Sequence, residues 1–354
     1  AARVTGGVAE SHERTLTRRE LNRALLARQL LLGRAPTTLP DALERMGGLQ
    51  AQYAPSMYIG LWSRVEGFER DHLTRDLERR TVVQGTLLRA TIHLVSARDY
   101  WAFAAAIEGA RREWALRVVR SGLTAEEVAA AAARLRERLA DGPLRRKEIE
   151  DLLGKPLAGA VGLWLDLVRV PPSGTWERRR ADLYAAAADW LEPAEVTREQ
   201  GVELLVRRYL GGFGPARVGD IANWAGLSVG SIVPALERMG LRRFHDERGR
   251  ELLDLPQAPL PDRDTHAPVR FLPTWDATLL VHARRTGILP EEHRLRVFST
   301  KTPHSVGTFL VDGAVAGTWR YECETVRTEP FERLDAATRP ELAEEGERLA
   351  AFHA

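Results

Sequence analysis

Residues 197–256 set the tightest limits on the fold. TREQGVELLVRRYLGGFGP (197–215) repeats apolar residues at helical spacing and stops at glycines. ARVGDIANWAGLS (216–228) predicts a second helix and a tight turn, and VGSIVPALERMGLRRFHDERGRELLDLP (229–256) a third helix followed by a hairpin. Helix, turn, helix and ribbon in that order is a winged helix-turn-helix pattern, with Ile221, Ala222, Ala225 and Leu227 at its core. Pro234 falls inside the third helix, where it is harmless in the first turn and disruptive beyond it.

The pattern recurs upstream. Helices are expected over 17–33, 39–47, 55–64 and 71–80, two strands within TVVQGTLLRATIHLVS (81–96), and a helix over 97–119. A second set follows, with helices over 124–141, 143–154 and 156–169 and a wing from VRVPPSGTWERRRADLYA. Beyond the proline-rich linker 257–268, VRFLPTW, ATLLVHAR, LRVFST and VGTFLVDGAVAGTWRYE alternate as strands do, with Asp312-Gly313 a hairpin signal, and one helix closes the chain over 339–352. The expected fold is therefore α+β, with three tandem winged helix-turn-helix motifs followed by a C-terminal β-barrel-like domain. Its parts are a disordered lead (1–15), three winged units (16–120, 121–196, 197–260) and the β domain (261–354).

Several functions are poorly supported. Cys323 is the only cysteine, so neither an intrachain disulfide nor a thiolate metal cluster can form, and a cytoplasmic protein is expected. No apolar run approaches the roughly 20 residues of a membrane helix. The nine histidines show no HExxH spacing, and neither a P-loop nor a dinucleotide fingerprint is present. No metal or cofactor is expected. Net charge is only +2, but positive charge is almost all arginine, with lysine at 147, 155 and 301 alone, and arginines cluster in LRRKE, WERRRAD and LRRFHDERGR. Winged helices bind nucleic acids or proteins, so a DNA-acting enzyme, a transcriptional regulator and an interaction scaffold all remain open at this point.

An ordered set of segments narrows the choice. LNRALLARQLLLGR leads to GGLQAQYAPSMYIGLWSR and LLRATIHLVSARDYWAF, then to LPTWDATLLVHAR, RVFSTKTP and GTFLVDGAVAGTW. Together these resemble the bacterial winged-helix DNA glycosylases of the AlkZ/YcaQ family, from about Leu16 to Phe352. Gln-Ala-Gln is the pattern of the AlkZ branch, whereas the YcaQ branch has Gln-x-Asp. The resemblance implies duplex DNA as partner and hydrolysis of the N-glycosidic bond of alkylated purines. It also implies unhooking of interstrand crosslinks such as those of azinomycin B, a self-resistance chemistry. Gln50 and Gln52 would carry the catalysis, and a DNA-probing hairpin would fall at Thr300 to Ser305, with Lys301, Thr302 and His304 touching DNA. Arg89 and His93 are further DNA-facing candidates, since strand alternation would put both on one side. Asp71 and Asp276 are alternative catalytic carboxylates. A monomer is expected.

Two amides can suffice for such a reaction. Glycoside hydrolases commonly pair an acid with a base or nucleophile. A guanine alkylated at N7 is already cationic, so its departure neutralises it and needs no acid. The protein must then hold water beneath C1′ and stabilise the growing oxocarbenium charge, which amide oxygens and carbonyl dipoles can do.

Overall fold

The computed structural model describes residues 14–118, 122–280, 287–298 and 306–354. Its first third runs β1 (Thr15–Leu16), α1 (Arg18–Arg28), α2 (Leu39–Met46), β2 (Leu49–Gln50), α3 (Ala54–Trp62), α4 (Arg70–Glu78), β3 (Val82–Thr86), β4 (Ile92–Ser96) and α5 (Ala97–Val118). Next come α6 (Ala125–Leu139), β5 (Leu144–Arg145), α7 (Arg146–Leu153), α8 (Lys155–Val161), β6 (Leu167–Arg169), β7 (Leu183–Ala186) and α9 (Ala187–Trp190). The third region holds α10 (Arg198–Phe213), α11 (Val218–Ala225), α12 (Val229–Arg238), β8 (Arg242–Asp246) and β9 (Glu251–Asp254). The last comprises β10 (Arg270–Leu272), α13 (Ala277–Leu280), α14 (Arg294–Val297), β11 (Gly307–Val311), β12 (Ala314–Glu322), β13 (Thr325–Pro330) and α15 (Thr338–His353).

Capping fixes where helices begin. Thr17 with Glu20, Thr124 with Glu127, and Thr197 with Gln200 each form a capping box that satisfies two orphan N–H groups. α11 ends at left-handed Gly226, and Ser228 caps α12. Pro234 lies in the second turn of α12, yet the helix continues to Arg238.

The strands of the first two regions merge into one six-stranded sheet, ordered β2-β4-β3-β6-β7-β5. β6 accounts for one revision. The helix expected over 156–169 ends at Val161, and Leu167–Arg169 pairs with both β3 and β7. Two flanking ladders outweigh the helical spacing of a short apolar segment. Thr15, assigned to the lead by sequence, pairs with His245 at the edge of β8.

The C-terminal region departs further from expectation. Its described strands form an open four-stranded antiparallel sheet, β10-β11-β12-β13, and no closed barrel forms among the described residues. α15 covers one face instead, with Leu342 and Leu349 packed in the cluster that holds Phe271 and Phe309. Ala277–Leu280 and Arg294–Val297, read as strands, are single helical turns, because short apolar runs carry too little period to decide. The Asp312-Gly313 hairpin forms as expected, with both φ angles positive and Val311 opposite Ala314.

α1 ties the regions together. Arg28 forms a fully buried pair with Asp254 of β9, Arg19 and Arg23 reach Asp312, and Gln29 donates to the carbonyls of Met46 and Gly212.

Candidate functional site

The site is built on two glycines. Gly47 ends α2 in the left-handed conformation, and Gly48 continues it at φ 82°. A Cβ at Gly48 would stand 3.0 Å from the Val95 side chain and 3.1 Å from the Leu94 carbonyl oxygen. Only glycine fits this turn without strain, and the turn lays β2 antiparallel against β4. Gln50 then lies opposite His93, and Leu49 opposite Leu94. Directly opposed residues share a sheet face, with Cβ atoms about 5 Å apart.

The two glutamines have different surroundings. Gln50 is 8% exposed, and its amide has no hydrogen-bond partner among the described residues. Gln52 is exposed, and its Oε1 accepts from the Ile92 N–H at 3.0 Å. Ala51 between them donates to the Ile92 carbonyl at 2.7 Å, which fixes the spacing of the pair. Neither glutamine hydrogen-bonds a carboxylate among the described residues. α3 follows at once; its Ser56 hydroxyl bonds Thr274 at 2.7 Å, anchoring the loop to the C-terminal region.

His93 is buried beside Gln50, and its Nδ1 lies 3.1 Å from the Thr91 carbonyl. A carbonyl only accepts, so Nδ1 carries the hydrogen and Nε2 the lone pair. Burial first, and the nearby Arg89 charge second, push the imidazole down to about 3, so it is neutral at physiological pH.

Arg89 does not share a strand face with His93, as alternation had suggested. It sits in a 3₁₀ turn, Leu88–Ala90, with φ 53°, and its guanidinium donates to the Trp224 carbonyl at the end of α11. Burial pushes it down to about 10. The strand breaks because the chain turns between β3 and β4, where LLRATI gives no glycine or proline to announce it. Lys301, Thr302 and His304 lie outside the described residues. Asp276 is buried and pairs with Arg64; its Oδ1 accepts from the Thr278 N–H at 3.0 Å, while its Oδ2 meets the Arg64 guanidinium and has no hydrogen-bond partner among the described residues. Asp71 is exposed in the first turn of α4.

Sequence reasoning missed Tyr53 and the destination of WERRRAD. Tyr53 follows Gln52, is 43% exposed, and its hydroxyl accepts from Arg179 at 3.2 Å. Arg179 and Arg70 both lie over the Trp176 ring, at 5.7 and 5.2 Å. They adjoin His353, which burial first and these two charges next push down to about 4. The arginine run was legible; its approach to Tyr53 depends on a contact between positions far apart in sequence. No group of three or more potential metal ligands occurs among the described residues.

The sequence model for the family described as "DNA glycosylase AlkZ-like" matches residues 43–352. Among solved structures, the DNA glycosylase AlkZ of Streptomyces sahachiroi is similar, with a TM-score of 0.78 at 20% identity, covering 96% of this chain and 97% of that one. At that identity the likeness is one of fold. No curated protein sequence matches.

Proposed function

The chain belongs to the AlkZ-like DNA glycosylase family, and on that footing we propose that it hydrolyses the N-glycosidic bond of cationic N7-alkylated purines through Gln50 and Gln52. The observation that carries this reading is the opposition of Gln50 to a neutral His93, with Gln52 two residues on and bonded to the Ile92 backbone, and no hydrogen bond from either amide to a carboxylate among the described residues. A site without an acid suits a lesion that brings its own positive charge. Gln50, whose amide is uncommitted among the described residues, accepts from the attacking water. Gln52 Oε1 keeps one lone pair beyond its bond to Ile92 and turns the same dipole toward C1′. A protonated histidine here would oppose the oxocarbenium charge; burial keeps His93 neutral.

The three helical regions act in this proposal as tandem winged helices along the duplex, and the 300–305 hairpin brings Lys301, Thr302 and His304 to DNA. Arg89 and His93 become supports of the site rather than groove contacts. Water, not a lysine, is the nucleophile, so the enzyme is monofunctional; in this proposal it acts as a monomer. Interstrand crosslinks formed through guanine N7 fall within the same chemistry, because each linked purine is cationic.

Single-turnover excision from a duplex carrying one N7-methylguanine checks the proposal. The wild type should release free base, and Gln50→Ala and Gln52→Ala should each slow release by about 10²-fold or more while binding the duplex normally. Equal losses in binding and excision would point to misfolding. Release of uracil or hypoxanthine would contradict the charge argument, and intact duplex binding without any release, from N7-methylguanine or from a crosslinked duplex, would favour a regulator.

A further inference from the structure

The six-stranded sheet carries a second feature on its other side. Successive strand residues alternate between faces. Gln50, His93, Gly85 and Val168 are opposed in turn across β2, β4, β3 and β6, whereas Arg169 is opposed to Gln84 and Tyr184. Arg169 therefore faces away from Gln50, three strands or roughly 14 Å across the sheet.

There it lines a cavity of about 210 Å³, together with Arg146, Thr86, Tyr184 and Trp114 above an apolar floor. That is far more space than one water needs. Arg169 is 8% exposed. It donates to the Thr86 hydroxyl at 3.1 Å and stacks 5.1 Å from the Tyr184 ring, but its Nε has no partner among the described residues. Burial lowers its pKa against the opposing effect of the Tyr184 hydroxyl, and the Arg146 charge lowers it slightly further.

Comparison with the other buried arginines makes this unusual. Arg23, Arg28, Arg64, Arg111 and Arg270 lie opposite Asp312, Asp254, Asp276, Asp166 and Glu345, respectively. Arg169 is the buried arginine without a carboxylate partner among the described residues. The acids nearby are engaged: Glu150 by Arg146 at 2.8 Å, and Asp166 by Arg111. A buried cation is costly unless an anion meets it. Here the cavity leaves room for one, with a guanidinium suited to an oxyanion, a hydroxyl beside it and a second arginine, Arg146, that is paired with Glu150 through its Nε. Trp114, 40% exposed, offers an aromatic face for an attached nucleoside.

We infer that this cavity binds the phosphate group of a nucleotide, held by Arg169 and Arg146. The phosphate can belong to a DNA strand or to a free nucleotide, and the inference does not depend on the glycosylase mechanism, whose residues lie on the opposite face.

The experiment uses the full chain, with Arg169→Gln and, as a variant at a more exposed position, Arg146→Gln. Inorganic phosphate and 2′-deoxyadenosine 5′-monophosphate are titrated by calorimetry against chloride at matched ionic strength. Duplex affinity is measured in parallel as a function of salt. Saturable binding by the wild type, weakened at least tenfold in both variants, supports the site. A duplex salt slope reduced by about 0.9 in the variants assigns the phosphate to DNA. Lost mononucleotide binding with an unchanged slope assigns it to a free nucleotide. If neither phosphate binding nor the slope responds in folded Arg146→Gln, the cavity is merely solvated and the inference fails; a misfolded Arg169→Gln does not rescue it.

Discussion

At the scale of single residues, His93 links the site to acid stability. Its folded value of about 3 lies below its ordinary 6.5. Between those values the unfolded chain binds a proton that the folded chain refuses. The contribution of His93 is therefore complete above about pH 6.5 and is lost as pH falls toward 3. His353, displaced to about 4, acts in the same direction. Melting temperature should decline below pH 6.5, and His93→Phe should decline less steeply over pH 4–6.5; identical slopes would remove His93 as the cause. The excision rate should show no inflection near 6.5 from this histidine. The glutamine pair could be picked out from the sequence because its spacing is local. His93 was a sequence candidate too, but its direct opposition to Gln50 was not legible, because that is a matter of strand register, set by the Gly47–Gly48 turn. Arg89 was misplaced for a related reason: a left-handed turn in LLRATI, a segment with β-branched residues and no glycine, leaves no mark in composition.

Among the elements, α5 and α10 pack backbone to backbone at one glycine, Gly201. A Cβ at Gly201 would collide with the Ala102 carbonyl oxygen and stand 3.0 Å from the Ala106 nitrogen. Gly to Ala in an exposed helix normally stabilises by about 1 kcal/mol. Here the sign should reverse, because the new methyl group meets backbone that cannot rotate away. Gly201→Ala should destabilise by about 1–3 kcal/mol, read as a lower urea midpoint at unchanged slope, and a raised midpoint would mean that α10 shifts freely on α5. Long capped helices were legible for physical reasons: Thr-x-x-Glu or Thr-x-x-Gln marks the start, and several turns of apolar spacing mark the body. Short elements were not. β6, α13 and α14 each span at most four residues, so their states depend on which neighbours supply hydrogen bonds. The merging of two expected wings into one sheet is likewise a tertiary outcome, written in no single segment.

For the whole molecule, charge must work locally. A net +2 over 354 residues gives little long-range attraction to DNA, and many arginines are spent inside the fold, as Arg28, Arg64 and Arg111 are. DNA affinity then depends on those left at the surface near the site. Arg70 and Arg179 have no carboxylate partner among the described residues, and both lie over Trp176, with Arg179 also holding the Tyr53 hydroxyl beside Gln52. Stacking on an aromatic ring fixes a guanidinium without neutralising it, so its charge stays available for a phosphate. Each such contact releases counterions and steepens the salt dependence of binding by about 0.9 in log–log slope. Arg70→Ala and Arg179→Ala should each flatten the slope by about that amount, and the double variant by about twice it, with excision at saturating enzyme nearly unchanged. Flattening in neither variant would move the DNA path away from this rim. A large fall in saturated excision for Arg179→Ala alone would instead show that this arginine acts through Tyr53 on the glutamines, since a pure phosphate contact alters occupancy and not the rate of the bound complex.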